Sequence, residues 1–186
     1  AYDLSLGLVG SEMCIRDSPG SGGQTLTRTR GQKMPTSILD ATKIQARIVI
    51  PIVKVLEKEL GKERAHHIVG EAIAQSYVAY RDKLGIEEDR HPREEGQESG
   101  NGPAFPVERE IVEDTDKTFG QNITKCAFAD YFHSIGEPEI GALMTCGVDF
   151  AAEARMRPSW EFRRTQTRMQ GAPFCDFRWR KSNSEV

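Results

Sequence analysis

The C-terminal segment, residues 160–180, constrains the fold most strongly because it combines aromatic, Thr and long side chains with a turn signal. Residues 170–173 contain a glycine and a proline, which favour a turn. After the turn, side chains that point to opposite faces of a strand alternate as follows: Cys175, Phe177 and Trp179 on one face, and Asp176, Arg178 and Arg180 on the other. The pattern predicts a β-hairpin with strands at about 160–169 and 175–180.

The rest of the chain predicts helices and one further hairpin. The predicted elements are helices at 37–60 and 62–84, a hairpin formed by 105–113 and 118–125, and helical pieces at 127–135 and 138–155. Runs of helices and antiparallel hairpins favour segregated layers. The sequence therefore predicts an α+β fold with a helical N-terminal half, in which helices pack on one antiparallel sheet built from two β-hairpins. The strand order stays open.

Two segments differ in composition from this pattern. Residues 5–18 resemble the translation of a sequencing adapter, and we interpret 1–33 as a non-native or disordered leader. Residues 34–186 are then expected to form a single domain. Within it, residues 86–104 are acidic and rich in Gly and Pro, which predicts a flexible loop.

Charge and cysteine usage limit the classes of partner. The formal net charge of −3 argues against nucleic-acid binding, and no apolar run approaches the length of a membrane span. The basic residues concentrate in the C-terminal segment, which suits a small carboxylate ligand. Outside the leader the cysteines are Cys126, Cys146 and Cys175, and their wide spacing favours a reducing cytoplasm. Exposed strand edges leave a homodimer open.

These cysteines allow three interpretations. Free cysteines are most often small core residues. Cys126, Cys146 and Cys175, with Asp149 as a fourth ligand, would also suit a divalent metal such as zinc, with manganese as an alternative. In the third interpretation a thiolate is stabilised by arginines and assisted by an aspartate. Asp149 follows Cys146 by three residues, so the two share one helix face.

Several short motifs resemble one known family. They include Arg164-Thr165-Gln166-Thr167, Gly171-Ala172-Pro173, Cys175-Asp176-Phe177-Arg178, Asn122-Ile123-Thr124-Lys125-Cys126 and Cys146-Gly147-Val148-Asp149. Together with Ala46-Arg47-Ile48-Val49-Ile50-Pro51 and Ile135-Gly136-Glu137-Pro138, they cover most of residues 40–180. This set resembles the L-2-amino-thiazoline-4-carboxylic acid hydrolase family. The resemblance implies a hydrolase that acts on a non-peptide C–N or C–S bond and opens a cyclic isothiourea carboxylate to a carbamoyl-cysteine.

The resemblance also implies a set of site residues. The catalytic candidates are Cys146, Asp149, Cys175 and Asp176, and the substrate-binding candidates are Arg164, Gln166, Arg178 and Asn122. Either aspartate can hold the protonated amidine, and either Arg164 or Arg178 can bind the substrate carboxylate. Direct attack by a cysteine and attack by a metal-activated water both stay open.

Two other functions compete with the enzyme. The order of helices and hairpins also looks distantly like the vinyl-reductase-type ligand-sensing domains, some of which hold a metal through cysteines. That alternative is a non-catalytic, small-molecule-binding domain. A scaffold subunit, the third alternative, predicts an exposed Arg-rich hairpin and scattered cysteines.

Overall fold

The computed structural model describes residues 37–84, 89–94 and 106–182, which form helices and one antiparallel sheet. The elements are α1 (Ile38–Leu60), α2 (Lys62–Leu84), β1 (Val107–Asp114), β2 (Thr118–Cys126), α3 (Ala127–Ser134), α4 (Pro138–Gly141), α5 (Val148–Met156), β3 (Trp160–Arg163) and β4 (Cys175–Lys181). A π-helical turn, Ala142–Cys146, joins α4 to α5, and 3₁₀ turns form at Pro92–Glu94 and Arg168–Gln170. The prediction of an α+β fold with a helical N-terminal half is confirmed. The predicted leader at 1–33 lies outside the described residues.

The N-terminal helices begin and end where local chemistry predicts. The Ser37 hydroxyl accepts a hydrogen bond from the Asp40 amide at 3.0 Å and caps the start of α1. Gly61 has a φ of +79°, which lets the chain leave α1 and enter α2 after one residue. Ala46, Val53 and Ala65 are fully buried. Within the described ranges, no helix combines the length and the apolar character needed to cross a membrane.

The sheet has the strand order β1-β2-β4-β3, so the two hairpins meet along their second strands. All described pairings are antiparallel, and Ile123 lies opposite Cys175 while Phe119 lies opposite Trp179. One face therefore carries an aromatic cluster: Phe119, Trp160 and Trp179 with Phe162 and Phe177 packed against it. Strand alternation directs Asn122, Asp176 and Arg178 to the opposite face.

The second hairpin differs from its prediction in the length of its first strand. We predicted a strand through residue 169, but β3 ends at Arg163. Beyond that point the amides of Thr165 and Gln166 donate to the Asp176 carboxylate at 3.0 and 2.8 Å. A side chain of β4 has therefore replaced the backbone carbonyls of β4 as the acceptor, which ends the strand.

Part of the predicted flexible loop is anchored to the fold. The amide and hydroxyl of Ser159 donate to Asp89 Oδ1 at 2.9 and 2.6 Å. The His91 ring lies edge-on to Trp160 with centroids 4.7 Å apart, and Pro92 is buried. Residues 86–88 and 95–104 of that prediction lie outside the described residues. Within 89–94 the chain is held against the start of β3.

Helix α5 meets the sheet through a buried polar network. Glu153 on α5 accepts a hydrogen bond from the Trp179 indole at 2.7 Å and one from the Arg157 guanidinium at 2.7 Å. The side chains of Glu153 and Arg157 are each 7% exposed. A buried carboxylate is tolerated when it is paired and hydrogen-bonded, so this network fixes α5 on β4.

We expect Glu153→Ala to lower the free energy of unfolding by about 3–5 kcal/mol, because it leaves the buried Arg157 charge without this carboxylate. Chemical denaturation followed by circular dichroism measures the change. Glu161→Ala is the control, since Glu161 pairs with Arg163 on the surface at 2.6 Å. The control should cost less than about 1 kcal/mol. Equal losses in the two variants would contradict a structural role for the buried network.

We expect Gly141→Ala to destabilise the protein by about 1–3 kcal/mol, although alanine is normally the better helix former. A Cβ at this position would lie 2.7 Å from the Phe132 Cβ, and Phe132 is fully buried. Gly70→Ala is the matched control, because its Cβ would make an ordinary 3.5 Å contact with Leu143. That variant should gain up to about 1 kcal/mol. Thermal denaturation of both proteins distinguishes the two effects.

Candidate functional site

The candidate site begins with one face of the helix that packs on β4. Cys146, Asp149 and Glu153 follow one another at intervals of three and four residues, so they lie on the same side of the helix. Glu153 contacts Trp179, which shows that this side faces the sheet. Cys146 ends the π-helical turn, an irregularity often found at functional sites. The opposing β4 residues are Cys175, Phe177 and Trp179.

Arg164 fills the space between these two surfaces. It directly follows β3, and its side chain is 7% exposed. Its guanidinium carbon lies 5.0 Å from the centroid of the Phe150 ring and 5.3 Å from that of Phe177. Aromatic faces attract a cation at these distances, so the rings hold the guanidinium in place.

The charge of Arg164 is met by Asp149. One terminal nitrogen of Arg164 donates to Asp149 Oδ2 in a short contact, and the other donates to the Cys146 carbonyl at 3.0 Å. The Asp149 side chain is 30% exposed, whereas that of Arg164 is nearly buried. The carboxylate therefore forms the accessible side of a partly buried ion pair.

The thiols of Cys126, Cys146 and Cys175 all have raised pKa values. Burial raises the pKa of the Cys146 thiol to about 12, although the Thr145 hydroxyl 3.6 Å away partly opposes it. Burial also raises the pKa of Cys175. The Arg168 amide, which donates to the Cys175 sulfur at 3.2 Å, partly opposes this rise. Burial raises the pKa of Cys126, at the start of α3, as well. The thiols are therefore protonated at neutral pH, and a preformed thiolate is not favoured.

The three thiols are electrostatically linked but not equally close to the ion pair. Cys175 influences the ionisation of Cys146 and is itself influenced by Cys126. Asp149 and Arg164 act on both Cys146 and Cys175, whereas Cys126 is influenced by Asp130 and Arg168. Cys146 and Cys175 are thus within electrostatic range of the Asp149–Arg164 pair, and Cys126 is linked to that pair through Cys175.

Asp176 organises the segment that carries Arg164. Its two oxygens accept hydrogen bonds from the Thr165 hydroxyl at 2.6 Å and from the Thr165 and Gln166 amides. Burial alone would raise the pKa of Asp176, but these donors outweigh that effect and lower it. The Gln166 side chain donates to the Phe174 carbonyl at 3.0 Å. Both predicted site residues therefore hold the loop in shape.

Arg168 anchors the far end of the same loop. Its guanidinium donates to the Thr124 carbonyl at 2.9 Å and to the Pro173 carbonyl at 3.0 Å. His133 on α3 contacts the Arg168 carbonyl at 3.2 Å. Together with Asp176, Arg168 fixes residues 164–174 against β2 and α3, and it thereby fixes where Arg164 enters the site.

Asn122 and Arg178 lie on the other face of the sheet, which separates them from Arg164. The Arg178 guanidinium donates to Asn122 Oδ1 at 2.8 Å and to the Gln121 and Phe177 carbonyls at 2.9 and 2.8 Å. Backbone and amide oxygens thus engage both of its terminal nitrogens. Of the two predicted carboxylate-binding arginines, the structure brings only Arg164 to the cysteines and Asp149.

The cysteines do not form the metal set considered from the sequence. Across the described residues, no group of three or more His, Cys, Asp and Glu side chains is arranged to hold a metal ion. Asp149 is engaged by Arg164, and the Cys175 sulfur accepts from a backbone amide. The observed geometry of Cys126, Cys146, Cys175 and Asp149 therefore does not fit the tetrahedral zinc site that their composition suggested.

A groove of about 560 Å³ lies between α2 and the helix that carries Asp149, and Cys146, Asp149, Arg164 and Cys175 are not among the residues that line it. Its lining includes His66, His67, Glu71, Val78 and Asp82 from α2 and Leu143, Gly147, Phe150 and Ala151 from the opposite wall. Phe150 is shared, because the same ring that lines the groove contacts Arg164. This volume is in the range of small-molecule sites.

Sequence reasoning missed Phe150, Phe177 and Glu153. A signal for Glu153 was present, because it follows Cys146 and Asp149 at helical spacing. The two rings carried no signal of their own. Their contact with Arg164 depends on how the loop packs between α5 and the sheet.

Comparison with known proteins agrees with the motifs that surround this site. The sequence matches no curated protein. The family model described as L-2-amino-thiazoline-4-carboxylic acid hydrolase matches residues 41–179, a range that contains Cys146, Asp149, Arg164 and Cys175. The matched range covers most of the chain and both hairpins. The chain therefore belongs to the L-2-amino-thiazoline-4-carboxylic acid hydrolase family.

Proposed function

We propose that the protein hydrolyses a small cyclic amidine or isothiourea that carries a carboxylate, of the 2-amino-thiazoline-4-carboxylate type. The observation that carries this proposal is the partly buried Asp149–Arg164 pair beside Cys146 and Cys175. The pair offers one anionic and one cationic group. Those are the two charges that recognise a protonated amidine and a carboxylate in one small molecule.

Arg164 is the group that we propose for the substrate carboxylate. A guanidinium presents parallel N–H donors that match a carboxylate in a bidentate arrangement. Phe150 and Phe177 hold the guanidinium carbon at 5.0 and 5.3 Å, so it is oriented in advance. Such preorganisation reduces the entropy lost on binding.

Asp149 is the group that we propose for the amidinium and for proton transfer. Water adds to the ring carbon between the nitrogens and the sulfur, and Asp149 accepts its proton. The tetrahedral intermediate collapses by breaking the C–S bond, and the sulfur leaves as a thiolate that takes up the proton. The product is a carbamoyl-cysteine that contains the atoms of the substrate and one water, which would place the reaction in cysteine metabolism.

The raised thiol pKa values support water as the nucleophile. A thiol with a pKa of about 12, such as Cys146, is almost entirely protonated at neutral pH. The same observation favours a second candidate, a non-catalytic domain that binds the same class of ligand without attacking it. Turnover is the property that separates the two functions.

We expect the purified protein to convert 2-amino-thiazoline-4-carboxylate to a product heavier by one water and carrying a new free thiol. Mass spectrometry and a thiol-reactive dye detect these changes. Arg164→Lys should lower kcat/KM by about 100-fold, because lysine lacks the planar fork and shifts the bound substrate. Binding of this compound without conversion would support the non-catalytic alternative.

Arg163→Lys is the matched control for this measurement. Arg163 is the neighbouring arginine, but its side chain is 74% exposed and pairs with Glu161 on the surface. Its replacement should leave kcat/KM within about twofold of the wild-type value. If the two lysine variants lose activity equally, Arg164 has no special role in the reaction.

We expect the rate of alkylation of Cys146 by iodoacetamide to rise about tenfold per pH unit up to about pH 10, because the reactive thiolate forms only near its raised pKa. Peptide mass spectrometry resolves this residue from the others. In the urea-unfolded protein the same cysteine should level off near its ordinary pKa, about 8.5. A plateau near neutral pH in the folded protein would indicate an activated thiolate and favour direct attack by Cys146.

A further inference from the structure

Asp149 and Arg164 neutralise each other in the described state, so a ligand that uses them must first displace one from the other. Arg164 donates to Asp149 through one nitrogen and to the Cys146 carbonyl through the other. A charge that is separated from its partner in a partly buried site loses more electrostatic stabilisation than a charge at the surface does. The ion pair therefore opposes ligands that satisfy only one of its members.

Asp149 and Arg164 differ in how well water can stabilise each of them once its partner has been displaced. The Asp149 side chain is 30% exposed, so water can solvate part of a carboxylate that has lost Arg164. The Arg164 side chain is 7% exposed and is flanked by Phe150 and Phe177. Without Asp149 it would keep the Cys146 carbonyl, which is a neutral acceptor. Loss of its partner therefore costs Arg164 more than it costs Asp149.

We propose that ligands bind by ion-pair exchange, in which a zwitterion replaces the Asp149–Arg164 contact with two contacts of its own. The ligand carboxylate takes Arg164, and the ligand amidinium takes Asp149. This proposal rests on the proposed function and adds a selection rule for its substrates. Both charges must reside on one molecule. The ligand carboxylate then replaces Asp149 as the partner of Arg164, and the ligand amidinium replaces Arg164 as the partner of Asp149.

The exchange also links recognition to chemistry. While Arg164 holds Asp149, the aspartate is engaged as an ion-pair acceptor. Once a substrate carboxylate occupies Arg164, Asp149 exchanges this contact for one with the amidinium and can act on the attacking water. A molecule without a carboxylate does not release it. The pair thus restricts Asp149 to ligands that carry the correct anion.

The difference in burial predicts an order of affinity for three probes in isothermal titration calorimetry at neutral pH. The zwitterionic probe is 2-amino-imidazoline-4-carboxylate, whose ring nitrogen leaves poorly and slows hydrolysis. The anionic probe is 2-methyl-thiazoline-4-carboxylate, and the cationic probe is 2-amino-thiazoline. We expect the zwitterion to bind at least about tenfold more tightly than the anion, and the anion about tenfold more tightly than the cation.

Asp149→Asn should change the affinities for the anion and for the zwitterion in opposite directions, which a purely structural role would not produce. The amide keeps the shape of the side chain but leaves the Arg164 charge unneutralised. The variant should bind the anionic probe at least about tenfold more tightly than the wild type does, while its affinity for the zwitterion falls. Asp130→Asn is the matched control, since Asp130 is 66% exposed and lies 3.8 Å from Arg168. That variant should keep the wild-type affinities.

The outcomes separate this inference from the proposed function. If 2-amino-thiazoline-4-carboxylate is hydrolysed but the wild type binds zwitterion and anion equally, the exchange is wrong and the proposed function stands. If the zwitterion does not bind and no hydrolysis occurs, both are wrong. The comparison of probes on the wild type decides the first case even if Asp149→Asn fails to fold.

Discussion

The packing of one helix face on one strand face is the constraint on which the rest of the structure depends. Glu153 on α5 joins Trp179 on β4 at 2.7 Å, and one turn earlier Asp149 joins Arg164 above Phe177. The first link is buried together with Arg157, whereas the second has one accessible member. The same surface therefore contains a buried polar contact that fixes the fold and a polar contact that is partly open to solvent. Because α5 is held at Glu153, the position of Asp149 relative to the sheet is determined before any ligand arrives.

Much of the fold could be predicted because periodicity is a local signal. The boundaries of α1 and α2 followed from Ser37 and Gly61, and both hairpins followed from alternation and turn residues. The first strand of the second hairpin was predicted too long for a reason that is not local. Whether Thr165 and Gln166 pair as a strand or donate to a carboxylate depends on Asp176, ten residues away or more. The strand order could not be predicted either, because it depends on the pairing of β2 with β4, two strands that lie far apart in the sequence.

Part of the candidate site could be predicted, and the alternation of residues along β4 also indicated which of the predicted residues lie on the other face of the sheet. The spacing of Cys146 and Asp149 placed them on one helix face, and Cys175 belonged to the apolar side of β4. The same alternation puts Asp176 and Arg178 on the other side of β4, so the sheet separates their side chains from that of Cys175. Choosing between Arg164 and Arg178 required the contacts of each guanidinium. Arg178 is bound to Asn122 and to carbonyls, and Arg164 meets Asp149.

One physical condition explains both the ion pair and the state of the thiols. Burial penalises a lone charge, so it favours a paired Asp149 and Arg164 while it keeps Cys146 and Cys175 protonated. A site that is partly withdrawn from water in this way strengthens the interactions between fixed charges and weakens any thiolate that has no close cation. Arg164 is a cation that acts on both thiols, but it is already paired with Asp149. The thiols therefore lie next to a charged pair, and any change in the pairing of Asp149 with Arg164 would alter the electrostatic environment of Cys146 and Cys175.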